Sequence, residues 1–485
     1  MMEKVPRPRP WALSSGSLAI LYITLTAAPV LLASLSGGAH APTVFPLLAR
    51  AAGVAALSMF LMQFGTSGRF ETISGRIGLD RSMGFHRIAA SAALVMLTFH
   101  VALFLFRGRT FSLSDIWNRL LLYLTMPSLL TGVIAAALAV ILVLSGKYMR
   151  GRGLPYPLWR LSHGITAVAL AGLGLHHAFT NARFMADGYG SAAVIALAAL
   201  AFGSLAFIYL LRPRQVFRPG FKVASARALS PTVSELVLET DKPDAFDFNA
   251  GQFAWLTIGH RHTVTDNPFS IASAPSDLPR LRFLIRKAGD MTRAIEQLKP
   301  GTPVGVDGPH GSFTLTDAGS GPLLLIAGGI GIAPILSLLR ELAATNDTRP
   351  IRLLAGARSP EDHIVRAEIA TLMVGRDFRS ITLADQNADG MDCESGGCDA
   401  SHITRLLEGL NPGETTAFVC GPPAMMQTAV ALITAAGVPL DRIVMERFDF
   451  DAGNDALCRS IRYRFIAVLA AVFAAVTVAT LAASA

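Results

Sequence analysis

Four histidines on two apolar segments are the residues in this sequence best spaced to do chemistry together. His86 and His100 lie 14 residues apart on one segment. His163 and His176 lie 13 apart on another, with His177 as a near duplicate. Fourteen residues of α-helix rise about 21 Å and turn about four times, so His86 and His100 share one face. That rise is about two-thirds of a ~30 Å hydrocarbon core. Two such helices side by side would offer facing imidazoles at two depths, able to ligate a planar metal cofactor from both sides. Histidine is a common axial ligand of haem, and two stacked haems would carry electrons through an insulating bilayer. The bland alternative is a polar side chain paired with a neighbouring helix. Intramembrane ionisable groups are costly, and four at matched spacing favour a functional role. Thirteen residues leave a straight helix about 220° from where it began, so His163 shares a face with His177 better than with His176. Gly172 and Gly174 lie between and could permit a local change of winding.

The elements that must position these residues are membrane spans. The chain has 485 residues, of which 52% are hydrophobic, and its mean hydropathy is +0.47. That is too apolar for an ordinary soluble protein and too long for one domain. The net charge of +8 comes almost wholly from arginine. In a membrane protein such an excess sits in cytoplasmic loops, so it argues orientation and not nucleic acid. Apolar runs lie near Trp11–Leu35, Thr43–Phe64, Ile88–Phe106, Leu121–Ser145, Leu161–Thr180 and Ser191–Leu211. Each has about the length that crosses a bilayer. The first could be a signal peptide, with Ala39-His40-Ala41 resembling a cleavage site, but its length favours a retained helix.

Arg69, Arg76, Arg81 and Arg87 separate the second and third runs. Lys147, Arg150, Arg152 and Arg160 separate the fourth and fifth, and Arg212, Arg214 and Arg218 follow the sixth. The positive-inside rule therefore predicts a multi-pass protein with its N-terminus and everything after Leu211 in the cytoplasm. His86 and His163 then fall at one depth near the inner side, and His100 and His176 at another near the outer side. A further apolar run, Tyr463–Ala485, follows Arg459, Arg462 and Arg464 and reads as a seventh span. Its alternative is a buried or surface helix ending the polar half. Arg50 stands at the outer end of the second run, where it could pair with a haem propionate or simply snorkel to the interface.

From Arg212 to about Arg462 charged residues return. The stretch from Gly220 to Phe313 reads as mostly β, and that from Pro322 to Phe448 alternates strand and helix, as in a parallel α/β sheet. The four cysteines, Cys393, Cys398, Cys420 and Cys458, all lie in this half, which is read as facing a reducing compartment. The Cys393–Cys398 pair lacks convincing zinc spacing. Gly328-Gly329-Ile330-Gly331-Ile332-Ala333-Pro334 follows an apolar strand and opens a helix. Glycines there let backbone amides approach a pyrophosphate. Cys420-Gly421-Pro422-Pro423 repeats the arrangement at a later strand end. Asn267-Pro268-Phe269-Ser270 sets an aromatic beside a hydroxyl, and Arg286 to Thr292 sets cations and a hydroxyl around a helix start.

These motifs, in this order, resemble the ferredoxin-reductase-like flavoprotein module. The whole chain over about residues 43–450 resembles the ferric reductase and NADPH oxidase superfamily. The resemblance implies a multi-domain membrane protein: a six-helix transmembrane dihaem domain over 1–212, a β-barrel FAD-binding domain over 213–316, an α/β parallel-sheet NAD(P)-binding domain over 317–458, and an additional C-terminal transmembrane helix over 459–485. It implies FAD, two b-type haems and NADPH, with NADH as the alternative. His86 with His163 would hold the inner haem, and His100 with His176 the outer, the family's spacing of 13 favouring His176 over His177. Phe269 and Ser270 would contact the flavin, beside Pro268, and Asn267 stands where relatives carry His or Arg. Arg286 and Thr292 would contact the FAD pyrophosphate. Gly328, Gly329, Gly331 and Pro334 would shape the nicotinamide-nucleotide pocket, with Cys420 and Gly421 near the nicotinamide. Phe448 would stack on the flavin. Arg358, just past a strand, would read the 2′-phosphate of NADPH.

The implied activity is electron transfer from cytoplasmic NADPH to an acceptor at the outer face, dioxygen or a ferric chelate, in a bacterial inner membrane. The rival from another class is an electron-donating membrane subunit that serves a protein partner. Oligomeric state is left open.

Overall fold

The computed structural model describes residues 13–35, 44–67, 70–106, 112–148, 156–181, 188–259, 266–386, 393–446 and 456–482. In chain order the apolar helices are α1 Ser15–Leu35, α2 Val44–Met62, the short α3 Glu71–Ile77, α4 Leu79–Leu105, α5 Leu113–Thr125, α6 Leu130–Tyr148, α7 Tyr156–Asn181 and α8 Gly188–Ala206. A π turn, Phe207–Leu211, and the short α9, Arg212–Val216, follow. Two compact units result: one comprises Ser74–Asp80 with Leu210–Ser460, the other Leu13–Ile73, Arg81–Tyr209 and Ile461–Ala485.

Seven helices among the described residues are long and apolar enough to cross a membrane: Ser15–Leu35, Val44–Met62, Leu79–Leu105, Pro127–Tyr148, Leu158–Asn181, Gly188–Val216 and Arg459–Leu481. The third begins well before the expected Ile88, because Gly78, at φ +89°, is the break and nothing after it interrupts the helix. Asp80 in its first turn complements the helix dipole. His86 consequently lies inside α4 and not ahead of it. The fourth begins at Pro127, six residues later than expected, because proline disfavours helical geometry at Met126 and cuts α5 off as a separate helix. Small residues let the bundle pack closely: Ala51, Ala55, Ala93, Ala135 and Ala139 are buried together. A Cβ added at Gly190 of α8 would come 2.7 Å from the Ala33 Cβ of α1.

The polar unit holds two layers of different make. β1 Lys222–Ala228, β2 Val233–Glu239 and β5 Arg280–Arg286 form one antiparallel sheet; β3 Phe253–Ile258, β4 Asn267–Ser270 and β6 Val304–His310 form another in the order β4-β3-β6. Isolated bridges join them, Lys222 with Pro303 and Ile271 with Phe283. Phe221, Leu236, Leu256 and Phe283 fill the space between. The short α10, Asp290–Arg293, follows β5. A six-stranded parallel sheet comes next: β7 Leu323–Gly328, β8 Ile351–Ala357, β9 Phe378–Ala384, β10 Glu394–Ser395, β11 Thr416–Cys420 and β12 Ile443–Met445. Its helices are α11 Ile332–Ala344, α12 Arg366–Leu372, α13 Ala400–Leu407 and α14 Pro423–Ala435.

The strand order β10-β9-β8-β7-β11-β12 reverses between β7 and β11, where ligands bind in open α/β sheets. Ser337 of α11 locks the two layers: its hydroxyl donates to the Ser273 carbonyl at 2.6 Å and accepts from the Gly251 amide at 3.0 Å. Arg282 of β5 adds an ion pair of 2.6 Å to Glu368 of α12. The last helix, α15 Ala456–Ala482, is no separate surface helix. Leu469, Val472, Val476 and Ala479 form a buried stripe in the core of the apolar unit. Its Phe465 ring meets Phe85 edge to face at 5.3 Å.

Candidate functional site

The apolar unit brings the histidines into two layers. His86 of α4 and His163 of α7 are electrostatic neighbours, and so are His100 and His177. His100 donates its Nδ1–H to the Ala49 carbonyl at 2.7 Å. That bond fixes the tautomer and leaves Nε2 with a lone pair for a metal. His86 Nδ1 lies 3.2 Å from the Thr66 hydroxyl, an equivalent anchor. His163 Nδ1 is buried without a hydrogen-bond partner, and its ring tilts against Trp159 at 5.2 Å. His176 is exposed, with Nδ1 3.2 Å from the Thr131 hydroxyl.

Glycines on the neighbouring helices make the room. A Cβ at Gly53 of α2 would lie 2.6 Å from His100 Nδ1. One at Gly132 of α6 would lie 2.5 Å from His177 Nδ1, and one at Gly146 3.8 Å from His163 Cε1. Gly132 and Gly146 are 14 residues apart, as are His163 and His177, so α6 sets one glycine beside each of these two imidazoles, with side-chain space excluded at Gly132 and ordinary contact distance at Gly146. Anchored Nδ1 atoms, an orphaned imidazole nitrogen and cleared neighbours fit axial ligation of two planar metal groups.

In the polar unit the two glycine motifs meet at the switch point. Gly331 abuts the Cys420 carbonyl, and Gly328 packs beside Gly421, where a Cβ on Gly421 would come 3.0 Å from the Gly328 Cα. These glycines therefore serve close packing of the two loops. Gly329 is different: at φ +53° it faces open space, so its backbone is the part a phosphate can approach. Pro334 is buried in the first turn of α11, where its missing N–H costs nothing. A cavity of about 220 Å³ opens beside Gly329, Ala357, Asp362, His363 and Arg366. Arg358 lies exposed directly after β8, its carbonyl accepting from Gln386 at 2.9 Å.

Ser270 ends β4 buried, and Phe269 beside it is half-buried against the core of the antiparallel layer. Asn267 and Pro268 pair with Leu256 and Trp255 of β3. Arg286 is exposed at the end of β5. The Thr292 hydroxyl is engaged locally, accepting from the Ala288 and Gly289 amides at 2.9 Å each and donating to the Gly289 carbonyl at 2.8 Å. That leaves it as the brace of the turn. Phe448 lies outside the described residues.

Glu446 escaped the reading of the sequence. It follows β12 at the carboxyl edge of the sheet, is 4% exposed, and has an Oε1 with no hydrogen-bond partner. Burial pushes its carboxyl well above the usual range, and the nearby Asp80 carboxylate adds to this against a hydrogen bond from the Ser312 amide. The same burial, with Glu446 beside it, pushes the Cys420 thiol up, so it stays protonated. An acid placed directly after an apolar strand at the ligand-binding edge was the available signal. A second missed cluster joins α9 to β6: Arg212 pairs with Asp307 at 2.7 Å, and His310 Nε2 lies 3.3 Å from the same carboxylate. Burial works against the Asp307 charge, but His310 and Arg212 outweigh it and hold the carboxyl at about 2.

Three family models match the chain: ferric reductase like transmembrane component over residues 52–174, oxidoreductase FAD-binding domain over 220–315, and oxidoreductase NAD-binding domain over 325–431. The chain is 35% identical over 237 residues to the reductase component of propane 2-monooxygenase from Mycolicibacterium smegmatis, covering 46% of this chain and 66% of that protein. It is 30% identical over 236 residues to ferredoxin–NADP reductase B of Sorangium cellulosum, covering 47% of this chain and 96% of that protein. Among solved structures, an Amycolatopsis cytochrome P450 reductase aligns at 23% identity and a TM-score of 0.42, over 47% of this chain and 68% of that one. The chain belongs to the ferric reductase and NADPH oxidase superfamily, in which a ferric-reductase-like transmembrane domain is fused to a ferredoxin-reductase-type FAD- and NAD(P)-binding module.

Proposed function

We propose that this chain is an NADPH-dependent flavocytochrome that passes electrons through FAD and two b-type haems to an acceptor on the far side of the membrane. The observation that carries the reading is the two-layered set of imidazoles on α4 and α7 in a chain that also holds a nucleotide-binding switch point. When bound, FAD would supply hydride acceptance and single-electron release, and haem single-electron relay. The chain's own residues place and insulate these groups. His86 with His163, and His100 with His177, would supply the axial nitrogens. His177 is preferred here to the 13-residue partner His176, because it shares a helix face with His163 and packs against Gly132 of α6, whereas His176 is exposed.

Phe269 and Ser270 would border the flavin, Arg286 would face its phosphates, and the Gly329 backbone would receive the nucleotide. Cys420, held as a thiol, fills the space beside the nicotinamide position without offering a competing charge. Glu446 holds a proton on its carboxyl at the same edge. Arg358 suits the 2′-phosphate of NADPH. The FAD-binding part is read as a barrel closed through the Lys222–Pro303 and Ile271–Phe283 bridges. Arginine-rich loops support a cytoplasmic nucleotide site and an inner-membrane location.

Dioxygen and ferric chelates both suit the acceptor role. A second reading, an electron donor to a protein partner, is favoured by relatives that are reductase components of oxygenase systems. Fast haem reduction with negligible turnover of either small acceptor would select it. Haem content per chain tests the ligand set. His177→Ala is expected to lose one of two haems while His176→Ala keeps both; the opposite outcome would restore His176.

A further inference from the structure

We infer that α5 is an interfacial helix, lying along the bilayer surface with one face in the headgroup and acyl boundary. The inference rests on the reading of this chain as membrane-spanning. No residue of α5 is buried, yet its sequence divides it into three faces. At about 100° per residue, Leu113, Leu124, Trp117 and Leu121 fall within an arc of about 80°. Their exposures are 87%, 47%, 59% and 43%. The next arc holds Ser114, Thr125, Asn118 and Asp115, all exposed, with Leu122 as the exception. The third holds Arg119, Tyr123, Ile116 and Leu120, all half-buried, and from it Arg119 donates to the Leu105 carbonyl at 3.1 Å.

A helix with one face on protein, one apolar and one polar fits a boundary between protein, lipid and water. Trp117 on the apolar face is a residue type enriched at that depth. In sequence α5 is tethered at both ends to membrane-length helices. It is bounded by the span Leu79–Leu105 and, immediately after Met126, by the span Pro127–Tyr148. Its apolar stripe also continues onto the exposed face of α6 at Leu130, Ile134 and Ile141. In water this stripe would be an exposed apolar patch beside two spans; in the boundary it is solvated by acyl chains.

A spin-label scan of the full chain in phosphatidylethanolamine–phosphatidylglycerol vesicles tests this. Cys393, Cys398 and Cys458 are replaced by Ser, and the buried Cys420 is left in place. Single variants Leu113→Cys, Trp117→Cys, Leu121→Cys, Ser114→Cys and Asn118→Cys are labelled, with Ile141→Cys on α6 as the reference for the span. The expected result is that labels at 113, 117 and 121 collide more with dissolved oxygen than with an aqueous nickel chelate, and labels at 114 and 118 the reverse. Equal nickel access at all five sites would overturn the inference. So would shielding from both reagents at 113, 117 and 121 with spin coupling between copies, which would make the face a contact with a second chain. An Ile141 label found in water would instead remove the membrane reading itself, and the inference with it.

Discussion

Glu446 is a carboxyl that the fold keeps in its neutral form. Its raised pKa means that the stability linked to its proton is complete below the ordinary glutamate range and is lost as pH rises toward the raised value. Glu446→Gln carries no such charge, so its melting temperature is expected to fall less than that of the parent as pH rises above 4.5. Parallel melting curves would contradict the buried-acid assignment. Arg358 makes a different kind of claim, on specificity. Arg358→Ala is expected to raise KM for NADPH about tenfold, the worth of one charge-assisted contact, and to leave that for NADH unchanged. Equal KM changes for both would remove it as the phosphate reader. At this scale the sequence carried the types and spacings of the histidines, NPFS, GGIGIAP and CGPP. It could not carry which of those groups are consumed locally. Thr292 looks like an anion ligand in one dimension and is the brace of its own turn in three. Glu446 was signalled only by its place directly after an apolar strand, because its burial depends on residues distant in sequence.

Helices and strands were legible where a single period dominated. The spans and the parallel strands β7, β8 and β11 were read from continuous apolar runs. β1 and β6, inside the stretch read only as mostly β, give weaker signals, since KVASARA is largely exposed and VGVDGPH carries Gly, Asp and Pro, all poor strand residues. β6 nevertheless carries the partner of Arg212. Asp307→Asn leaves the Arg212 charge buried and is expected to cost about 3 kcal/mol of unfolding stability near neutral pH. In the parent this Asp307 contribution is present above pH 3.8 and lost as pH falls through about 2. A loss below about 0.5 kcal/mol, measured by denaturant titration, would make the pair incidental. The α6–α7 pairing makes its own claim. Gly132→Leu is expected to displace His177 and lower haem content to about one per chain, whereas Gly164→Leu, in open space on α7, is expected to leave two. Equal haem content in both would contradict the proposed packing of imidazoles against glycine gaps.

At the scale of the whole chain, the seven membrane-length helices among the described residues and the two nucleotide-binding layers follow from composition and order, because burial in lipid and burial in a parallel sheet impose such different hydropathy patterns. The C-terminal helix was legible as an apolar run, but its place in the bundle core, with Phe465 against Phe85 one residue before His86, needed the fold. The proposed function assigns the two units to one path of electron flow, from a nucleotide site to haem held by histidines. An anaerobic absorbance titration of the purified full chain with NADPH tests this most directly. The expected result is that flavin absorbance bleaches first and two haem equivalents per chain then reduce. Flavin bleaching with no reducible haem would contradict the account at its centre.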